Sequence, residues 1–563
     1  MAEPNEWTVM FYFAGDNALA PVIVSQLKAI KDAGFHEKIN VLVHFDPNEQ
    51  GAPTRIYDVN RKRKKDPKLP NTMIGDGEDP FVRNLKEDEI QPRAISRTAG
   101  PSSLATIKAL RKPDAVSAKD ALINFLGFCR ENHRAKHYIL ILVGHGMIVG
   151  NDAFLPDENP VSAITLHELD QEILRPFTKQ VTDDGDAFEM LALHSCSMSA
   201  LEVAYQLKGT ANFMMGSEGI SFVGSWPYRQ MLKKTFKTIE NAREAARRHA
   251  KDRNENQAEA LGNPDVDIET MMEKLYFLSL FNATDFLLSG YSLDLALCSM
   301  EEQRYEPLTE VIQKLVAALK EAVRNERGQE LILLAHWEAQ SYWGESYTDL
   351  FDFCRCLRKR CTQNRVLPKL GKACFDVMEK LKPIKSKLVS ERFKALVIHS
   401  ENFGSQYQYS HGLSVYFPWS RPVENAGTGG TNKGILDIYR DYAFTKALGD
   451  DSWLSFLELY FDETKRLSRK AEDRVVKPGG REFAAALDSF NPSGPLSVST
   501  SPFALEPGKP SPSTGLACPC ASIKNYPDAL EEPKKTQGKR KRKGTSKLKV
   551  KFSITEGALQ AFE

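Results

Sequence analysis

Short apolar runs that do not alternate with polar residues, each followed by a helical pattern, limit most severely what this chain can become. Trp7–Phe13 (WTVMFYF), Ile39–Phe45 (INVLVHF), Tyr138–Val143 (YILILV), Met190–His194 (MLALH) and Phe213–Gly216 (FMMG) are such runs. A strand that is apolar on both sides must be buried on both sides, which calls for a parallel sheet with helices on each face. Helical patterns over Leu19–Ala33, Val116–Asn132 and the stretch through Leu201, Val203, Ala204 and Leu207 supply those covers. Thr54–Asn60 reads as an edge-like strand, and the polar residues 61–95 as a long loop. The fold class is α/β.

Farther along, Tyr228 to Val389 is mostly helical in pattern, with apolar spacing around Phe286–Met300, Leu308–Val323 and Tyr347–Cys361. Ala395–His399 (ALVIH) and Gly412–Phe417 (GLSVYF) read as strands that return to the sheet. The expected division is an α/β core over residues 1–235 and a helical insertion over 236–389. Return strands and closing helices follow over 390–464, then a Pro/Ser-rich linker and flexible basic tail over 465–563. Lys534–Lys551 (KKTQGKRKRKGTSKLKVK) contains no acidic residue. Such a segment favours an acidic protein surface or nucleic acid phosphate over stacked bases, because no aromatic residue is interleaved with it.

Over the whole chain the charge balances, with 75 Lys+Arg against 74 Asp+Glu, so the protein as a whole is not expected to coat a polyanion. No run of about 18 apolar residues predicts a membrane span. The opening AEPNE leads straight into the first strand without a basic n-region, so no signal peptide is read. The nine cysteines are sparse and odd in number, which argues against a disulfide framework and for a reducing, cytoplasmic setting.

In open α/β sheets, ligands bind outside the carboxyl ends of the strands. YILILV runs into Gly144-His145-Gly146, and MLALH runs into Ser195-Cys196-Ser197. The interval between His145 and Cys196 leaves room for a loop, a helix and a return to a neighbouring parallel strand. An imidazole and a thiol in one crevice can perform nucleophilic catalysis, the histidine taking the thiol proton and later protonating the leaving amine. The N–H groups of Gly146 and Cys196 are then candidates for an oxyanion hole. The bland alternative for Cys196 is a core cysteine.

These segments resemble the clostripain family of caspase-like cysteine peptidases. The likeness is carried in order by WTVMFYFAGDNAL, ILILVGHGMIVGND, LALHSCSMSALEVAYQL, GSEGISFVGSWPY and HGLSVYFP, within residues 7–418. The resemblance implies a caspase–haemoglobinase fold, peptide-bond hydrolysis, His145 as general base and acid, and Cys196 as nucleophile. It also implies a proenzyme cut between the His and Cys strands, where Lys179–Asp186 (KQVTDDGD) is the expected site. Members that cut after Arg or Lys usually carry an acid two residues before the nucleophile; here that position is His194. The second acidic position of the family falls near Gly224. A neutral or even acidic P1 residue is therefore expected, with His194 lining the pocket, while Glu218 could still supply the negative charge for basic specificity. The other role open to His194 is a buried ring bonded to backbone. The substrate strand is expected beside Ser217, Glu218 and Gly219.

No metal ligand set or cofactor is read, and a calcium requirement is left open. Cys354, Cys356 and Cys361 lack histidine partners and read as core; Cys518-Pro-Cys520 lies in the tail. His399 and His411 read as structural, and Asp16 and Asn17 as caps of the following helix. The expected activity is that of a restrained intracellular endopeptidase acting on a protein substrate, a pore-forming protein being one partner considered. Its rival is a catalytically silent scaffold using the helical region and basic tail.

Overall fold

Along each central strand, successive side chains pass into one or the other of two separate cores. The computed structural model describes residues 5–17, 19–34, 36–46, 55–59, 72–74, 116–146, 153–158, 161–181, 188–252, 266–342, 346–422 and 434–476. The strands are β1 (Asn5–Phe13), β2 (Ile39–Phe45), β3 (Arg55–Val59), β4 (Thr72–Ile74), β5 (Ala135–Val143), β6 (Phe154–Glu158), β7 (Val161–Ile164), β8 (Phe188–His194), β9 (Ala211–Gly216), β10 (Leu293–Ser299), β11 (Ser341–Tyr342), β12 (Tyr347–Asp349), β13 (Val397–Phe403) and β14 (Ser414–Tyr416). Nine of them form one sheet in the order β13-β10-β9-β8-β5-β1-β2-β3-β4. The five central strands, β9, β8, β5, β1 and β2, run parallel. The outer strands pair antiparallel.

The two-sided burial follows from the apolar runs. Met10, Tyr12, Leu140 and Leu142 face a core built with helices Ala118–Asn132, Leu201–Leu207 and Glu306–Ala322. Val9, Phe11, Ile139, Ile141 and Val143 face the opposite core, built with helices Ala20–Lys31, Tyr228–Asp252 and Ile268–Ser279. Local signals fix the helix ends. The Ser117 hydroxyl accepts from Asp120 N at 3.1 Å, and Asp120 sits in the first turn near the positive end of the helix.

Two expectations change. Phe286–Met300 is read as helical, yet β10 occupies Leu293–Ser299 and joins the main sheet between β9 and β13. Every residue of β10 is buried, so its pattern carries no two-residue period that would separate it from a buried helix. Residues 236–389 are thus not purely helical, because they supply a strand of the central sheet. The GLSVYF segment forms β14, which pairs with β12 in a separate three-stranded sheet and does not return to the main one. A bridge between Ala200 and Ser414 ties that small sheet to the loop after β8. Of residues 61–95 only β4 is described. The linker expected from residue 465 starts later, because the helix Trp453–Val476 runs through its first twelve residues, and everything beyond residue 476 lies outside the described residues.

The helix Trp453–Val476 closes one core. Trp453 is wholly buried against Phe353, Phe417 and Phe456, and its indole N–H donates to the Tyr416 carbonyl at 2.8 Å. Trp453→Ala is expected to lower unfolding free energy by about 3–5 kcal/mol. Trp453→Phe is expected to cost less, about 1–2 kcal/mol, by losing mainly the hydrogen bond and part of the ring. Urea unfolding of the three proteins checks both values; equal midpoints would show that the helix does not help hold the core.

Candidate active site

Parallel pairing of β5 with β8 sets Val143 beside His194. Two residues farther on, the strands release His145 and Cys196 at the same end of adjacent strands, whose backbones lie about 4.8 Å apart. The glycine after the histidine is sterically required. A Cβ on Gly146 would lie 1.7 Å from the Cys196 carbonyl oxygen, so its backbone packs directly on that of Cys196. Ser197, next to the thiol, holds a left-handed backbone with φ of 57°, an uncommon conformation for a non-glycine residue. The structure thus brings together His145, Gly146 and Cys196.

Both reactive groups are covered. His145 is 5% exposed and Cys196 1% exposed. Burial pulls the His145 imidazole down to about 4 and pushes the Cys196 thiol up to about 12. Near neutral pH both are uncharged, so no thiolate–imidazolium pair exists in this form. The His145 Nδ1 atom has no hydrogen-bond partner among the described residues. The thiol contacts Ser221, whose N–H donates to Sγ at 3.4 Å and whose carbonyl accepts from it at 3.5 Å.

Ser221 belongs to a segment fastened at many points. Ser199 N donates to Ser217 O at 3.0 Å and Ser197 N to Gly219 O at 2.9 Å, which ties the loop after β8 to the segment after β9 just beyond Cys196. The Asp294 carboxylate of β10 accepts from Glu218 N at 2.6 Å and Gly219 N at 3.0 Å. Ser217 Oγ donates to the Asp294 carbonyl at 2.8 Å, and Ile220 N donates to the Tyr407 hydroxyl at 3.2 Å. A Cβ on Gly219 would lie 2.5 Å from the Tyr407 ring. Ser217 and Glu218 are buried, so the three residues expected to flank a substrate strand offer no open edge here.

His194 has the second of its two expected arrangements. Its ring is 1% exposed, stacks on Trp226 with centroids 4.1 Å apart, and its Nδ1 meets the Tyr228 hydroxyl. Its Nε2 lies 2.8 Å from the Phe222 carbonyl and 3.1 Å from Ser225 Oγ. Burial holds the ring neutral, down to about 3. Glu218 is fully buried, accepts from Gly412 N at 2.8 Å and shares a hydrogen bond with Asp349. Burial and the nearby carboxyls of Asp349 and Asp294 raise Glu218 well above the usual range. Burial likewise raises Asp294 to about 7, against the pull of the two N–H donors it receives.

Sequence reasoning gives no role to Ser221, Asp294 or Tyr407. Asp294 leaves a trace, as the one charged residue in an apolar strand, LDLALCS. Ser221 and Tyr407 leave none, because their parts depend on chain crossings. Asn17 holds its turn, accepting from Leu19 N at 2.9 Å, whereas the Asp16 carboxylate lies with those of Asp46 and Asp157, within 4.8 Å of one another. Three such oxygens suit a hard divalent cation. His399 bonds Glu273 at 2.7 Å and His411 lies beside Asp349, while Cys354, Cys356 and Cys361 pack in the core. Cys518 and Cys520 lie outside the described residues.

A thiol at about 12 is ionised to roughly one part in 10⁵ at pH 7. Iodoacetamide labelling of the Cys196 peptide in the uncut, folded chain is therefore expected to be slow at pH 7. It should rise about tenfold per pH unit up to pH 10. Mass-spectrometric peptide mapping reads the rate; a plateau near neutral pH would show an activated thiol instead.

The clostripain family model matches residues 11–425. No curated protein matches the chain. Among solved structures, an inactive zymogen C11 protease from Parabacteroides distasonis is 14% identical, covering 80% of this chain and 99% of that one, with a TM-score of 0.42. A secreted C11 cysteine protease from Bacteroides thetaiotaomicron is 12% identical over 79% of this chain and 99% of that one, with a TM-score of 0.46. Likenesses this loose assign no residue. The family match spans both strand ends that carry His145 and Cys196, and the chain belongs to the clostripain family of cysteine peptidases.

Proposed function

We propose that the protein is an intracellular cysteine endopeptidase in which Cys196 attacks the scissile carbonyl and His145 relays the proton. The observation that carries this reading is the placement of both residues just past one paired position on adjacent parallel strands. In the open enzyme His145 would take the thiol proton, and the tetrahedral oxyanion would be met by the N–H groups of Gly146 and Cys196. Collapse of the intermediate breaks the C–N bond as His145 returns the proton to the leaving amine. Water then repeats the sequence on the acyl-enzyme. The seven described cysteines are buried and none forms a disulfide among the described residues, which supports a reducing compartment.

The closed site supports a latent form. With the thiol bonded to Ser221 and both groups neutral, catalysis requires the Ser217–Trp226 segment to move. Cutting the connection between β5 and β8, or a binding partner, would release it. The expected cut region, Lys179–Asp186, begins within the helix Arg175–Val181, and residues 182–187 lie outside the described ones. Such restraint suits a dedicated protein target over general digestion, and a pore-forming protein is one such target class.

Among the described residues nothing around His194 offers a free negative charge to a basic P1 side chain. The ring is neutral and stacked on Trp226, and Glu218 is bonded to Asp349 with its carboxyl raised. A buried, unpaired guanidinium or ammonium is costly, so a neutral P1 residue is favoured.

Cys196→Ala and His145→Ala are each expected to reduce peptide hydrolysis by about 10³-fold or more with the fold retained by circular dichroism. Wild-type activity equal to that of the Cys196→Ala protein would favour a silent scaffold. A peptide library varied at P1 is expected to give neutral residues a kcat/KM at least about tenfold above Arg or Lys; preference for Arg would mean that Glu218 is freed on opening. Intact mass before and after activation is expected to resolve one chain into two, and a fully active single chain would remove cleavage from the scheme.

A further inference from the structure

We infer that a cationic groove on the helical region is an exosite for acidic segments of protein substrates, an assignment that rests on the peptidase reading above. Residues 355–387 hold eleven Lys and Arg against two Asp and Glu, in a chain whose total charge is only +1. Helices Leu350–Asn364 and Pro368–Leu381 pack as a hairpin, and a surface cavity of about 420 Å³ opens between them. Arg358, Arg365 and Lys372 converge on it, and all three are exposed. No acidic residue lines it, although Lys372 reaches Asp376 at its margin. Among the described residues neither Arg358 nor Arg365 has an ion-pair partner. Arg365 and Leu367 hold left-handed backbones with φ of 55° and 50°, so the turn that presents the arginine carries strain.

Charge decides the ligand's sign, and the groove's shape and place decide its class. Two free guanidinium forks are matched by carboxylates, which they grip bidentately. The one aromatic ring in the groove, Phe375, already has Arg358 over it at 4.7 Å, so it is not free to stack a base. The helix that bears Arg358, and leads into the turn that bears Arg365, begins beside the segment over Cys196. Its N-cap is Asp349, which shares a hydrogen bond with Glu218 in the segment over Cys196. At about 1.5 Å per residue the two arginines lie roughly 14 and 24 Å along the helix from Asp349. An extended peptide covers that span from Asp349 with about four to seven residues, and a few more are needed to cross the segment between Cys196 and Asp349. A substrate whose scissile bond sits at Cys196 can therefore lay an Asp/Glu-rich stretch roughly four to ten residues away in the groove.

The test compares the full-length activated enzyme with its Arg358→Glu/Arg365→Glu/Lys372→Glu variant. The substrates are two peptides identical but for an Asp/Glu-rich or Asn/Gln-rich stretch placed roughly four to ten residues from the cut. For the wild type at low salt, KM for the acidic peptide is expected about tenfold below that for the neutral one, with kcat equal. The variant should lose that difference and keep kcat on the neutral peptide, and about 0.5 M salt should erase it in the wild type. An equal KM ratio in both proteins overturns the exosite. So does a variant that loses retention on heparin or anionic vesicles while keeping the acidic-peptide advantage. Should neither protein cleave either peptide, the peptidase reading fails separately. The exosite is then read by fluorescence anisotropy of the labelled acidic peptide on Cys196→Ala with and without the three charge reversals, where equal affinity sinks it.

Discussion

The in-register pairing of β5 with β8 is the constraint on which the rest of the molecule depends. Parallel strands buried on both faces can hold almost no polar side chain within the sheet, so chemistry is displaced to their ends. A slip of one residue would send Leu140 and Leu142 toward the wrong core and turn the strand-end residues with them. The apolar packing of two cores therefore also fixes where an imidazole and a thiol emerge. Stability and chemistry share one register.

The closed geometry around Cys196 is a physical state of its own. Transferring a thiol and an imidazole from water into a dry site penalises their charged forms, and here both penalties act together. The covering segment is held by Asp294 below, Tyr407 at its side and the Glu218 carboxyl, which reaches Gly412 and Asp349. Those partners come from the central sheet, the return segment and the start of the helical hairpin. Moving that segment would therefore break contacts with three separate parts of the domain, since no single loop carries the restraint.

How much of this is legible in the sequence depends on the range of the interaction. The central strands read clearly because uninterrupted apolar runs such as YILILV have few other uses. The placement of His145 and Cys196 at one end of the sheet reads clearly because each lies two residues past such a run. β10 does not, since LDLALCS lies among helical patterns and is buried throughout. Ser221 and Tyr407 are invisible because their contacts come from segments distant in sequence that fold onto Cys196 and its covering segment. His194 lies between the two cases. Its position beside Cys196 is evident at once, but its neutrality depends on Trp226, Tyr228 and Phe222.

The sheet order has one more implication. Between β5 and β8 the backbone leaves the sheet and returns to the adjacent place, and five residue pairs hold the two strands together. Loss of covalent continuity there would leave every rung of that ladder intact. The halves would stay zipped as a two-chain particle, parting only when the fold itself is dissolved, while the fresh termini gain a freedom that the uncut backbone denies them.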